Sequence, residues 1–203
     1  MKNLFAAAAI LIAAPVVLAA PALANAVVGQ PAPAFTATDS IGRSHDLADF
    51  RGKAVVLEWT NADCPFVQKF YGGGDMQRLQ ADAKKQGVVW LTVNSGASGK
   101  QGHMTGAQAN AKMKAHGFNA SAYLLDPYGA IGKAYGARTT PHMFVINPEG
   151  ILVYAGGIDN TPTADPADIA RAQPLVKLAL ADIAAGNPVA IATSRPYGCS
   201  VKY

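Results

Sequence analysis

The segment Ala54-Val55-Val56-Leu57-Glu58-Trp59 constrains this chain more than any other. It is apolar at successive rather than alternate positions, the pattern of a β-strand covered on both faces; a strand with one wet face would alternate. A chain that holds such a strand must build layers above and below a sheet, so an α/β arrangement is expected. A short polar loop, Thr60-Asn61-Ala62-Asp63, follows, and then Cys64 and Pro65. Proline suits the first position of a helix, because the N–H it lacks would have no partner there. Phe66 and Phe70, then Met76, Leu79 and Ala83, recur at helical spacing, and Gly72-Gly73-Gly74 divides that helix into two pieces.

The remaining segments fit the same plan. Residues 36–45 read as a hairpin turning at Asp39-Ser40-Ile41-Gly42, residues 88–93 and 122–125 as further strands, and residues 105–115 and 128–135 as helices. Residues 142–146 and 151–155 form a second hairpin around Asn147-Pro148-Glu149-Gly150, and Pro174 opens a last helix in which Val176, Leu180 and Ile183 share one face. The expected fold is a mixed central β-sheet flanked by helices, with an N-terminal β-hairpin and a C-terminal tail. Residues 95–104 are a polar, Gly-rich loop without the spacing of a phosphate-binding loop.

Residues 1–24 stand apart. Lys2 is their only charge, and the rest is rich in Ala, Leu and Val with Pro15 and Pro21 as interruptions. That is the layout of a secretory signal peptide, with Ala22-Leu23-Ala24 supplying the small residues of a cleavage site. The alternative is an uncleaved anchor; the two prolines and the absence of a following basic cluster count against it. Residues 25–186 then form one domain and residues 187–203 a tail, in a periplasmic or secreted protein that leaves the membrane after cleavage. A net charge of +4 with no run of like charges gives no nucleic-acid signal. Cys64 and Cys199, the two cysteines, both lie beyond residue 24, and in an oxidising compartment a disulfide or redox traffic through them is the default expectation.

The thiolate is the reactive form of cysteine, and the free N–H groups at a helix N-terminus favour it. Cys64 occupies such a position, while the neighbouring Asp63 opposes ionisation. The other reading makes Cys64 an inert core residue or half of a structural disulfide.

Three stretches carry a family resemblance: Gly52-Lys53-Ala54-Val55-Val56-Leu57-Glu58-Trp59; Asn61-Ala62-Asp63-Cys64-Pro65-Phe66-Val67; and Tyr135-Gly136-Ala137-Arg138-Thr139-Thr140-Pro141-His142-Met143-Phe144-Val145-Ile146-Asn147. The chain resembles the redoxins, the thioredoxin-fold group that contains the peroxiredoxins and the periplasmic TlpA-type proteins. It is most similar to the branch with Asn-x-x-Cys-Pro-Phe/Tyr-Val in place of Cys-x-x-Cys. The resemblance implies a thioredoxin-like fold with Cys64 as the attacking thiol and Val67 where thioredoxin has its second cysteine. It implies that Glu58 matches thioredoxin's buried acid and relays protons, an ion pair with Lys53 being the other reading. Pro141 matches the family's cis-proline, which leaves the Thr140 backbone free to pair with an extended substrate. Pro65, Phe66, Arg138 and His142 complete the implied substrate-binding set.

The chain also departs from the peroxiredoxins. Asn61 and Leu57 stand where those proteins carry Thr or Ser and Pro, Thr60 is offset by one position, and Arg138 is out of register with the peroxide-binding arginine. His142 follows Pro141 and could reach Cys64 as a base; a soft site with the two sulfurs, resembling that of the Sco copper chaperones, is disfavoured, because those proteins use two cysteines close in sequence and this chain has none so placed. No metal or other cofactor is expected.

The implied function is a thiol-dependent oxidoreductase, either a thiol–disulfide exchanger or a peroxide-reducing antioxidant protein. Its substrate is a protein or small-molecule disulfide, thiol or peroxide, and its electron donor an external thiol. Cys199 is the expected resolving thiol, since the domain has no other and the tail places Tyr197 and Tyr203 around it. The competing function is a non-catalytic binding or carrier protein whose tail is pinned by a permanent Cys64–Cys199 bond. The sequence sets no oligomeric state.

Overall fold

A computed structural model describes residues 25–203; the expected signal peptide, residues 1–24, lies outside them. The doubly covered strand is β3 (Val55–Trp59), buried at every position. It lies inside a seven-stranded sheet, with β4 (Val89–Asn94) parallel on one side and β7 (His142–Ile146) antiparallel on the other. Beyond β4 come β5 (Ala122–Leu125), then β1 (Thr36–Asp39) and β2 (Ser44–Asp46), the N-terminal hairpin; beyond β7 lies β8 (Leu152–Gly156). The sheet is therefore mixed, as expected.

Because successive side chains of β3 point to opposite faces, the strand splits the interior in two. Val55, Leu57 and Trp59 join Leu91, Phe144 and Ile146 in one core, where Ile131 and Tyr135 of α4 (Ala130–Tyr135) pack. Val56 joins Trp90, Met143 and Val145 in the other, which also holds Cys64. Helices α1 (Pro65–Gly72), α2 (Asp75–Lys85) and α5 (Leu175–Ala184) cover this second core through Phe70, Met76, Val176 and Leu180. The break between α1 and α2 falls at the glycine triplet, where Gly74 adopts φ +80°, a conformation unfavourable for any side chain. Helix α3 (Gly106–Ala115) buries only Ala109 and starts with a capping box between Thr105 and Gln108. No helix among the described residues is long and apolar enough to cross a membrane.

The tail is not a loose appendage. Thr193 bridges to Ala155, and the Ser194 N–H donates to the Ala155 carbonyl at 3.1 Å. Farther along, β9 (Cys199–Ser200) pairs antiparallel with β6 (Thr139–Thr140) in a small second sheet. The Val201 N–H reaches the Arg138 carbonyl at 3.0 Å, and the Tyr203 hydroxyl donates to the Ala137 carbonyl at 2.6 Å. Backbone pairing and aromatic anchors thus hold a segment that has no helical or strand period of its own.

Candidate active site

Cys64 is the N-cap of α1, with extended backbone and Pro65 at the first helical position. The loop before it is shaped by Asn61, whose side-chain oxygen accepts the Asp63 N–H at 3.0 Å and whose carbonyl accepts the Cys64 N–H at 2.9 Å. The Asn61 amide also donates to Gln101 at 2.9 Å, which ties this turn to the Gly-rich loop. The Cys64 sulfur is fully buried. It lies 3.1 Å from the carbonyl oxygen of Thr140, the residue before the cis Thr140–Pro141 bond, and 2.6 Å from the Cys199 sulfur, 135 positions away. Register explains the meeting: Cys199 is paired directly with Thr140 across β6 and β9.

The environment separates the two thiols electrostatically. Burial pushes the Cys64 thiol up, but hydrogen bonds with Cys199, with the Thr140 side chain and with the Val67 N–H outweigh it and leave the pKa lowered. Cys199 is raised, by burial first and then by its hydrogen bond to Cys64 and the charge there. In this pair Cys64 is the thiol that ionises first and Cys199 the one that keeps its proton.

Glu58 points from β3 into the core that contains Cys64 and is fully buried. Four neutral groups donate to it: Trp90 Nε1 at 2.7 Å, the Tyr71 hydroxyl at 2.8 Å, Gln80 Nε2 at 3.1 Å and Thr92 Oγ1 at 3.4 Å. Burial raises its pKa to about 7, and these hydrogen bonds only partly counter it. The ion pair with Lys53 does not form; Lys53 is exposed, and no cation bonds the carboxylate among the described residues.

Of the other expected site residues, Pro65 starts α1, and Phe66 packs edge-to-face on Tyr197 with ring centres 5.9 Å apart. Thr60 Oγ1 is buried without a hydrogen-bond partner. Arg138 is exposed and contributes its backbone, to His142 and Val201. His142 does not approach Cys64. It is in register with Trp59, its ring lies against Phe144 and its Nδ1 accepts the Arg138 N–H. Alternation along β7 sends Met143 toward the Cys64 core and His142 to the opposite face. Burial, and secondarily Arg138, lower its pKa to about 4. The triad of two sulfurs and an imidazole is not assembled, and among the described residues no group of three His, Cys, Asp or Glu side chains is placed to hold a metal ion.

Sequence reasoning missed a polar cluster beside the thiols. Lys69, in α1, is buried, and its Nζ reaches Asp159 at 3.3 Å, the Thr161 carbonyl at 3.0 Å and the Tyr197 hydroxyl at 3.4 Å. Tyr197 also donates to Asp159. The one available signal is a lysine between Phe66 and Phe70 on the apolar side of a helix; nothing comparable points to Asp159.

A mixed sheet with a cysteine at the N-terminus of the first helix, facing a cis-proline, defines a protein of thioredoxin-like fold. The AhpC/TSA family profile matches residues 28–155, and the chain belongs to that family. The thiol-disulfide oxidoreductase ResA of Bacillus subtilis strain 168 is 32% identical over 125 residues, which are 62% of this chain and 64% of ResA. The chain thus spans somewhat less than two thirds of that relative. Among solved structures, a hypothetical protein of Sinorhizobium meliloti 1021 superposes with a TM-score of 0.73 at 26% identity, covering 87% of this chain and 94% of the other. A secreted disulfide oxidoreductase of Mycobacterium tuberculosis shares the fold at TM-score 0.51 and 20% identity, covering 68% and 95%.

Proposed function

We propose that this protein is an exported thiol–disulfide oxidoreductase in which Cys64 attacks and Cys199 resolves. The observation that carries this reading is the contact of the two sulfurs, 2.6 Å apart, at a helix N-terminus that favours the Cys64 thiolate. The Cys64 thiolate attacks a substrate disulfide, forms a mixed disulfide and releases one substrate thiolate. Cys199, after losing its proton, attacks the Cys64 sulfur. An internal Cys64–Cys199 bond forms and the second substrate thiolate leaves, so the substrate gains two electrons and the protein loses two. An external thiol donor returns the protein to the dithiol form. Glu58, with a pKa near the working pH, is suited to hold or release the proton exchanged at the thiols. A disulfide is favoured over a peroxide as substrate because Arg138 is exposed and gives Cys64 no buried cation. The signal-peptide layout of residues 1–24 supports export to the periplasm or the exterior.

The test is to expose the reduced protein to oxidised glutathione and identify the products by mass spectrometry. The wild type is expected to form an internal disulfide without a retained adduct, and Cys199→Ser to hold glutathione on Cys64. A wild type that retains glutathione on Cys199 and leaves Cys64 free contradicts the assignment.

A further inference from the structure

The last residues lie along the backbone edge that an extended substrate needs. Thr140 pairs with Cys199, its Oγ1 donates to the Cys199 carbonyl at 3.4 Å, and its own carbonyl accepts from the Cys64 thiol. Beneath this strand Cys64 has no solvent exposure. An incoming disulfide therefore meets the protein's own tail before it meets the attacking thiol.

Two side-chain facts fix where that tail sits, one on each side of the peptide bond between residues 197 and 198. Tyr197 is gripped by α1, the helix whose N-terminus presents Cys64: its ring rests on Phe66, Lys69 Nζ lies 5.5 Å from the ring centre, and its hydroxyl donates to Asp159. Lys69 and Asp159 are themselves buried and bonded to each other, so the seat is built from groups that cannot turn to water instead. Gly198 has φ +136°, and a Cβ there would collide with the Thr140 carbonyl oxygen, the same atom that Cys64 contacts. Only a residue without a side chain lets the strand close on Thr140 and bring Cys199 to the sulfur.

We propose that Tyr197 and Gly198 are positioning residues that seat the tail as a resident occupant of the substrate edge, holding Cys199 against Cys64 and closing Cys64 to external reagents until residues 195–203 lift. This rests on the reading of Cys64 as the attacking thiol. Exchange then proceeds in a fixed order: the tail lifts, Cys64 attacks the substrate disulfide and forms the mixed disulfide, and the tail returns so that Cys199 displaces the substrate thiolate. The fraction of time the tail is lifted sets how fast any reagent reaches Cys64.

The test is the rate of iodoacetamide alkylation of Cys64 in full-length Cys199→Ser protein, where Cys64 is the single thiol, with melting curves recorded for each variant. Adding Tyr197→Phe keeps the ring on Phe66 but removes a hydrogen bond to a charged acceptor, and is expected to speed alkylation about tenfold. Adding Gly198→Ala is expected to speed it by more than about tenfold through the clash and the unfavourable φ. Adding Arg195→Ala, an exposed tail side chain, is expected to leave the rate unchanged. The acceleration should be the same factor at every pH across the thiol titration, since opening rather than thiol acidity is altered. Rates equal to the parent's for both Tyr197→Phe and Gly198→Ala, or a displaced pH profile that accounts for the acceleration, overturn the positioning role. The glutathione assay on wild-type protein reads the Cys64–Cys199 bond itself, so failure of the enzyme reading there is distinguishable from failure of the seat.

Discussion

Glu58 is surrounded by neutral donors, and its ionisation is therefore set against its burial. An unfolded chain ionises this carboxyl near 4.5, the folded protein only near 7. Between those values the unfolded state binds fewer protons, so stability falls as pH rises and is level on either side of the window. For a fully buried group the drop is about 3 kcal/mol. Chemical denaturation across this range is expected to show the fall in the wild type and to lose it in Glu58→Gln; an unchanged pH dependence in the variant contradicts the assignment. At this scale the sequence was informative about reactive types and poor on partners. Cys64 and Glu58 are conspicuous, a cysteine before a helix and an acid in an apolar strand. Tyr71, Gln80, Trp90 and Thr92, which surround Glu58, come from two helix pieces and a neighbouring strand and carry no common local signal. His142 lies away from Cys64 because adjacency to Pro141 in sequence does not set which face of β7 a side chain takes.

Among the elements, helices and strands with a strong apolar period were legible almost to the residue, because burial of one face selects them. Pro65 and the glycine triplet marked the ends of α1 by backbone chemistry alone. The structure adds a cap at the start of α3: the Thr105 hydroxyl accepts the Gln108 N–H while the Gln108 side chain accepts the Thr105 N–H. Thr105→Ala is expected to lower stability by about 1 kcal/mol, read from the denaturation midpoint, with glutathione exchange unaffected because α3 supplies no group to the thiol pair. A loss of exchange would tie α3 to the site. The tail was the illegible element. A two-residue strand and scattered anchors have no period to detect, and only the clustering of Tyr197, Cys199 and Tyr203 hinted at order.

For the molecule as a whole, one doubly covered strand with crossover helices led to the mixed sheet, since few arrangements bury both its faces. The pairing of β6 with β9 is another matter: it joins segments 59 positions apart, and in the sequence only the lack of any other thiol pointed to a meeting of Cys64 with Cys199. That pairing brings the thiols together, and whether it serves exchange or permanent cross-linking is the central question. Stepped glutathione redox buffers, followed by alkylation of free thiols and mass spectrometry, give the potential of the pair directly. Cys64 and Cys199 are expected to become alkylatable together in one two-electron transition, about 30 mV per tenfold change in ratio, with a midpoint above about −300 mV. A midpoint below that value, or one cysteine freed while the other remains bound to glutathione, would contradict this expectation.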